Sequence, residues 1–104
     1  MNYNLIKQAI EEKKCLNFLY DSHLRKVVPY LMGTKNGKYH VLCYQYGGTS
    51  LSGLSADTTQ NWRCLELDKI SAIEINNDEL KIPNNHSQKQ NCIENIEVEL
   101  NYQV

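Results

Sequence analysis

Gly33-Thr34-Lys35-Asn36-Gly37-Lys38-Tyr39-His40-Val41-Leu42-Cys43-Tyr44 is the stretch that decides the fold. Asn-Gly between two apolar runs favours a two-residue type I′ turn, because both central positions need positive φ and these residues reach it at least cost. The turn predicts a hairpin with strands over residues 25–32 and 39–46. Pro29 lies inside the first of them. A proline has no N–H for a ladder, so an edge position or a bulge is expected there.

Working outward, Leu16, Phe18 and Tyr20 alternate with Cys15, Asn17 and Leu19, which predicts a strand, and Asp21-Ser22-His23 reads as its turn. Before it, Leu5, Ile6, Ala9 and Ile10 recur at helical spacing among Lys7, Gln8, Glu11, Glu12 and Lys13. An amphipathic helix is expected over residues 3–14, with Asn2 or Asn4 as its N-cap. Three turns are marginal alone, so the apolar stripe must pack on the strands.

Beyond the hairpin, residues 47–60 are small, polar and rich in Gly, Ser and Thr; loops of this length inside a small domain are often functional. Strands are then expected at 62–67 and 70–75, with Asp68-Lys69 as the corner and Asn76-Asn77-Asp78 as a closing turn. Residues 83–90 form a polar linker. After it Ile96, Val98, Leu100, Tyr102 and Val104 alternate with Glu97, Glu99, Asn101 and Gln103, a regular apolar/polar strand. That strand can cap an open edge of its own sheet or pair with a second chain. The expected unit is residues 1–82, mainly β (α+β): a small, strongly bent five-stranded sheet or partly open barrel behind a helix. Residues 83–104 add the linker and an extra C-terminal strand.

With 104 residues and a net charge of −1, the chain is one domain, and neither a uniformly basic nucleic-acid-coating protein nor an acidic disordered one. No apolar run reaches the ~20 residues of a membrane span, and the N-terminus lacks a secretory-signal layout, so a cytoplasmic protein without membrane contact is expected. Cys15, Cys43, Cys64 and Cys92 form no Cys-x-x-Cys pair, which argues against structural zinc. They are expected to be buried thiols in a reducing cytosol.

The order and spacing of these elements resemble a WYL domain. Ala9-Ile10 with Leu16-Asn17-Phe18-Leu19-Tyr20 is similar to the family's opening helix and strand, and Arg25-Lys26-Val27-Val28-Pro29 to its Arg-x-x-x-Pro strand. Tyr39-His40-Val41-Leu42-Cys43-Tyr44 falls at the naming motif, whose Trp and Tyr are not kept in place. Arg63-Cys64-Leu65-Glu66-Leu67-Asp68-Lys69-Ile70 is similar to the closing Arg-x-Phe-Arg-Leu-Asp-Arg-Ile pattern, with Glu66 and Lys69 where the family carries Arg. The resemblance spans about residues 5–75. It implies a Sm-like, Src-homology-like barrel, here expected as a stand-alone module without a helix-turn-helix. It also implies a regulatory module of bacterial phage defence or transcription control that binds a nucleotide or single-stranded nucleic acid.

Charge placement agrees with such a ligand. Residues 13–46 carry six basic residues against Asp21, whereas residues 76–104 carry five acidic residues against two lysines. A basic front half can hold phosphate. Arg25 and Arg63 can each fork onto a phosphate, with Lys26 and Lys69 as supporting charges. Tyr44, Tyr46 and His40 can stack on bases beside Gln45, and Gly47-Gly48-Thr49-Ser50 can offer donors to phosphate. Each residue has a plainer alternative: Arg25 and Lys26 as solvated charges beside the hairpin, Arg63 paired with Asp68 or Glu66, one tyrosine in the core, and His40 as a partly buried histidine.

No nucleophile elbow, metal signature or carboxylate pair stands out, so the expectation is a binding module, not an enzyme, with no cofactor and no metal. The alternative function is a protein-interaction module that homodimerises through the C-terminal strand.

Overall fold

The computed structural model describes residues 2–48, 54, 60–83, 85 and 89–101. Helix α1 (Asn2–Glu12) buries Ile6, Ala9 and Ile10 along one stripe. Lys13 takes a positive φ of 57° and Lys14 donates its N–H to the Ala9 carbonyl at 2.8 Å, which ends the helix and turns the chain into β1 (Cys15–Tyr20). The expected cap is corrected. Asn2 and Asn4 both lie inside α1, and the Asn2 amide donates instead to the carbonyls of Leu67 and Ile70, at 3.0 and 2.8 Å.

Strands β2 (His23–Lys35), β3 (Lys38–Gly48), β4 (Trp62–Glu66), β5 (Ser71–Asn76) and β6 (Asn95–Glu99) complete one antiparallel sheet. Its order is β4-β3-β2-β1-β5, with β6 on β2. Asn36 and Gly37 have φ of 53° and 77°, as a type I′ turn requires, and Asp21 and Ser22 repeat the device at 53° and 63°. A 3-10 turn at Leu67–Lys69 links β4 to β5. These two are the outer strands, and no ladder joins them among the described residues, so the mainly β sheet behind one helix is as expected, and it is an open sheet with no barrel closure.

Two irregularities decide which side chains share a face. Opposite Lys26 and Val27, β3 runs from Gly47 to Gln45, so Tyr46 is an extra residue. Pro29 lies at the second, in an inner strand and not at an edge. Along that side of β2, β1 pairs only as far as Val27 and β6 starts only at Leu31, so the missing N–H leaves no ladder bond unmade.

The C-terminal strand pairs with β2 of its own chain, from Leu31↔Glu99 to Thr34↔Asn95. Gly33 makes this possible, because a Cβ there would overlap the Asn95 carbonyl oxygen and lie 2.8 Å from Ile93 Cγ2. Val98 and Leu100 are buried as the alternation predicts, Ile96 is half-exposed, and Tyr102 and Val104 lie outside the described residues. So does most of the 47–60 loop.

The reading of four thiols is corrected. Cys64 and Cys92 are joined in a disulfide with their Cα atoms 5.6 Å apart, while Cys15 and Cys43 are free and buried. The two partners are 28 positions apart, so only the path of the chain brings them together. Among the described residues no helix is long and apolar enough to cross a membrane.

Candidate functional site

Residues paired across an antiparallel ladder, or two apart on a strand, share a face. The pairs Phe18↔Arg25, Leu16↔Val27, Val27↔Gln45 and Cys43↔Arg63 therefore place Leu16, Phe18, Arg25, Val27, Cys43, Gln45 and Arg63 on one face, which is the inner one. Val28↔Tyr44, Leu42↔Cys64 and Tyr44↔Trp62 lie on the other.

The three buried polar or charged residues of the described chain, Arg25, Gln45 and Asn61, gather where β2, β3 and β4 meet. Gln45 takes its place through two bonds: its N–H donates to the Asn61 carbonyl at 2.9 Å, and its side-chain amide donates to the Gly47 carbonyl at 3.0 Å. Arg25 is 4% exposed. Its guanidinium lies 5.0 Å over the Tyr20 ring and 4.0 Å from the Asp21 carboxylate. Its buried Nε has no hydrogen-bond partner among the described residues.

Arg63 is half-buried and donates to the carbonyls of Gln60 and Trp62, both at 3.2 Å. Burial lowers its pKa, and the charge of Arg25 lowers it further. The two guanidiniums are thus close enough to repel. The Cys43 thiol lies within reach of both. Burial pushes it up to about 12, against the pull of Arg25 and Arg63 toward thiolate. It is an inert core thiol, not a nucleophile.

The other expected ligand residues are placed elsewhere. Tyr44 is buried on the outer face, its ring 5.8 Å from Trp62, so it packs rather than offering a stacking surface. Tyr46 donates to Asp78 at 2.6 Å and accepts from Asn76 at 3.1 Å; burial, then the Asp78 bond, raises its pKa. Lys26 lies 3.9 Å from Asp78. His40 is partly buried, with Nδ1 3.0 Å from the Lys38 carbonyl and Nε2 3.9 Å from Glu66. Lys69 is exposed and pairs with Glu66 at 3.1 Å, which raises the lysine pKa and lowers that of the carboxylate.

Of the eight residues read from the sequence, then, Arg25, Arg63 and Gln45 come together. Tyr46 and Lys26 gather on Asp78, and His40 and Lys69 on Glu66. The glutamate that stands in a basic motif position is occupied by lysine and histidine and leaves the two arginines to the inner face. Thr49 and Ser50 of the proposed phosphate turn lie outside the described residues.

Two members of the cluster escape a sequence reading. Asn61 has no signal beyond its place at the end of a polar loop. Tyr20 is legible only as an apolar-face residue of β1. Among the described residues no three His, Cys, Asp or Glu side chains gather to hold a metal ion.

Arg25, buried, and Arg63, half-buried, thus share the inner face of the antiparallel sheet, ahead of a short turn and β5. No curated protein and no solved structure matches the chain. The description "WYL domain" does match, over residues 1–75, and the chain belongs to that family.

Proposed function

We propose that this chain is a sensing module that binds a nucleotide or a short single-stranded nucleic acid through phosphate held between Arg25 and Arg63. WYL domains are generally regulatory modules that sense a ligand or nucleic acid. One observation carries the finer reading. Two guanidiniums from separate strands are held on one face near enough to depress the pKa of Arg63, and one of them is almost wholly buried. Keeping like charges together out of water costs free energy, and an anion between them offsets it. The ring of Tyr20 backs the Arg25 guanidinium.

The role is binding, not catalysis, and its setting is gene control or phage defence, as the family resemblance implies. The sheet, bent by its two bulges, serves as a Sm-like, Src-homology-like half-barrel whose concave side is the site. The test is fluorescence anisotropy with a labelled oligothymidylate and with nucleotides, from low to physiological salt. Binding is expected to weaken linearly in log salt. It is expected to be lost in Arg25→Met plus Arg63→Met. An oligonucleotide affinity that survives the double substitution refutes the site.

A further inference from the structure

The described residues after β5, 77–83, 85 and 89–101, form a strap that is held to the outer face at Trp62 and Cys64. Asp78 meets Tyr46 and Lys26. The Trp62 indole N–H then donates to Asn85 Oδ1 at 3.0 Å. Cys92 is bonded to Cys64 of β4, and the chain runs on into β6 along β2. Tyr30 and Tyr44 pack their rings on Trp62 at 5.5 and 5.8 Å. The strap lies outside the residues that match the family. None of the β1 to β5 ladders depends on it.

Apart from the disulfide, the strap is held by β6 and by side-chain bonds, among them the Tyr3 hydroxyl to Glu97 at 2.9 Å and the Asn95 amide to Thr34 Oγ1 at 3.3 Å. The β6 ladder has four register pairs with an irregularity between Met32 and Gly33. Flanking it, Glu94 donates to the Thr34 carbonyl at 3.0 Å and Leu100 to the Tyr30 carbonyl at 2.8 Å. Lys35 reaches the Asn91 carbonyl and Asn36 the Glu94 carboxylate, both at the exposed hairpin tip. Cys92, Ile93, Val98 and Leu100 are its buried residues. The two halves of the bond differ: Cys92 is buried and Cys64 is exposed. An attacking thiolate therefore has access from the Cys64 side, and exposed disulfides are the labile and regulatory ones.

We propose that Cys64–Cys92 is a thiol-reversible latch on this strap. A dithiol reductant attacks Cys64 Sγ as thiolate, the sulfur–sulfur bond breaks, and Cys92 leaves as thiolate and takes up a proton. The second thiol of the reductant then resolves the mixed disulfide. Two electrons pass to the protein, which ends as two thiols, and the reductant ends as its own disulfide. In the oxidised state the strap opens only when the whole domain unfolds. In the reduced state residues 89–101 open as a unit from an intact β1–β5 sheet, baring Trp62 and the β2 edge at residues 31–34. Disulfides of this kind respond to redox state in compartments that are otherwise reducing.

The experiment is hydrogen exchange by mass spectrometry on the full chain, oxidised and after dithiothreitol, with Trp62, the only tryptophan, as a fluorescence reporter. Peptides covering residues 91–101 are expected to exchange at least tenfold faster after reduction, while peptides of β1 and of β3 beyond residue 40 are unchanged. Reoxidation is expected to restore protection. Cys64→Ser, at the exposed position, is expected to reproduce the reduced pattern without reductant. Equal strap exchange in both states, a fully protected strap in Cys64→Ser, or loss of protection throughout the domain on reduction each overturns the proposal.

Discussion

Arg25→Met is expected to stabilise the protein while damaging its ligand binding, an outcome that separates a binding residue from a structural one. Methionine keeps the length of the side chain and much of its packing. The substitution removes the cation–π interaction with the Tyr20 ring, worth about 1 kcal/mol. It also removes an ion pair to Asp21; at 4.0 Å, to a carboxylate that is half in water, that pair is worth under about 1 kcal/mol. What is relieved is a buried Nε without a partner among the described residues, which costs about 1–3 kcal/mol. The repulsion that lowers the Arg63 pKa is relieved with it. The balance favours the variant by about 1 kcal/mol, or about 4–8 °C in a domain of this size.

Against a phosphate ligand the same substitution removes a charge-assisted hydrogen bond of about 1.5–3 kcal/mol, a ten- to hundredfold loss or slightly more. It also flattens the salt slope by about 0.7 for each phosphate of a single strand that is no longer neutralised. Thermal melts by circular dichroism and anisotropy titrations at three salt concentrations read both effects. A melting temperature that falls by about 5 °C or more, with unchanged oligonucleotide affinity, would refute the reasoning and make Arg25 a structural residue.

Two further outcomes follow from the packing. Gly33→Ala forces a methyl against the Asn95 carbonyl and Ile93, and is expected to cost about 1–3 kcal/mol in a urea melt; an unchanged midpoint would contradict the close approach of β6. Stability is also expected to fall at alkaline pH. The unfolded chain releases the Cys43 proton near the ordinary 9.0, whereas the folded chain holds it to about 12. The contribution is therefore complete below pH 9 and is lost as pH rises toward 12, by about 1.4 kcal/mol per pH unit. Tyr46, also raised, acts in the same direction. Urea midpoints from neutral to alkaline pH measure the slope, and Cys43→Ala is expected to reduce it.

Local features, those that neighbouring residues decide, are legible along the chain. Asn36-Gly37 names its turn because only a few residue types accept positive φ, and the structure has it at 53° and 77°. The helix expected over 3–14 and found as Asn2–Glu12, the strands expected at 15–20 and 62–67 and found as Cys15–Tyr20 and Trp62–Glu66, and the alternation that buries Val98 and Leu100 are periodicities, visible without any partner. Tertiary structure alone decided the rest. Tyr44 and Tyr46 are two apart, yet Tyr44 packs on Trp62 and Tyr46 meets Asp78, because a bulge at Tyr46 resets the register against β2, while Gln45 between them faces inward with the arginines. Arg25 reads as a surface charge beside a hairpin and is buried, since Phe18 opposite it in β1 carries that face inward. Cys64 and Cys92 carry no pairing signal, because a disulfide depends on distance through space, and that distance exists only once the strap has folded back onto β4.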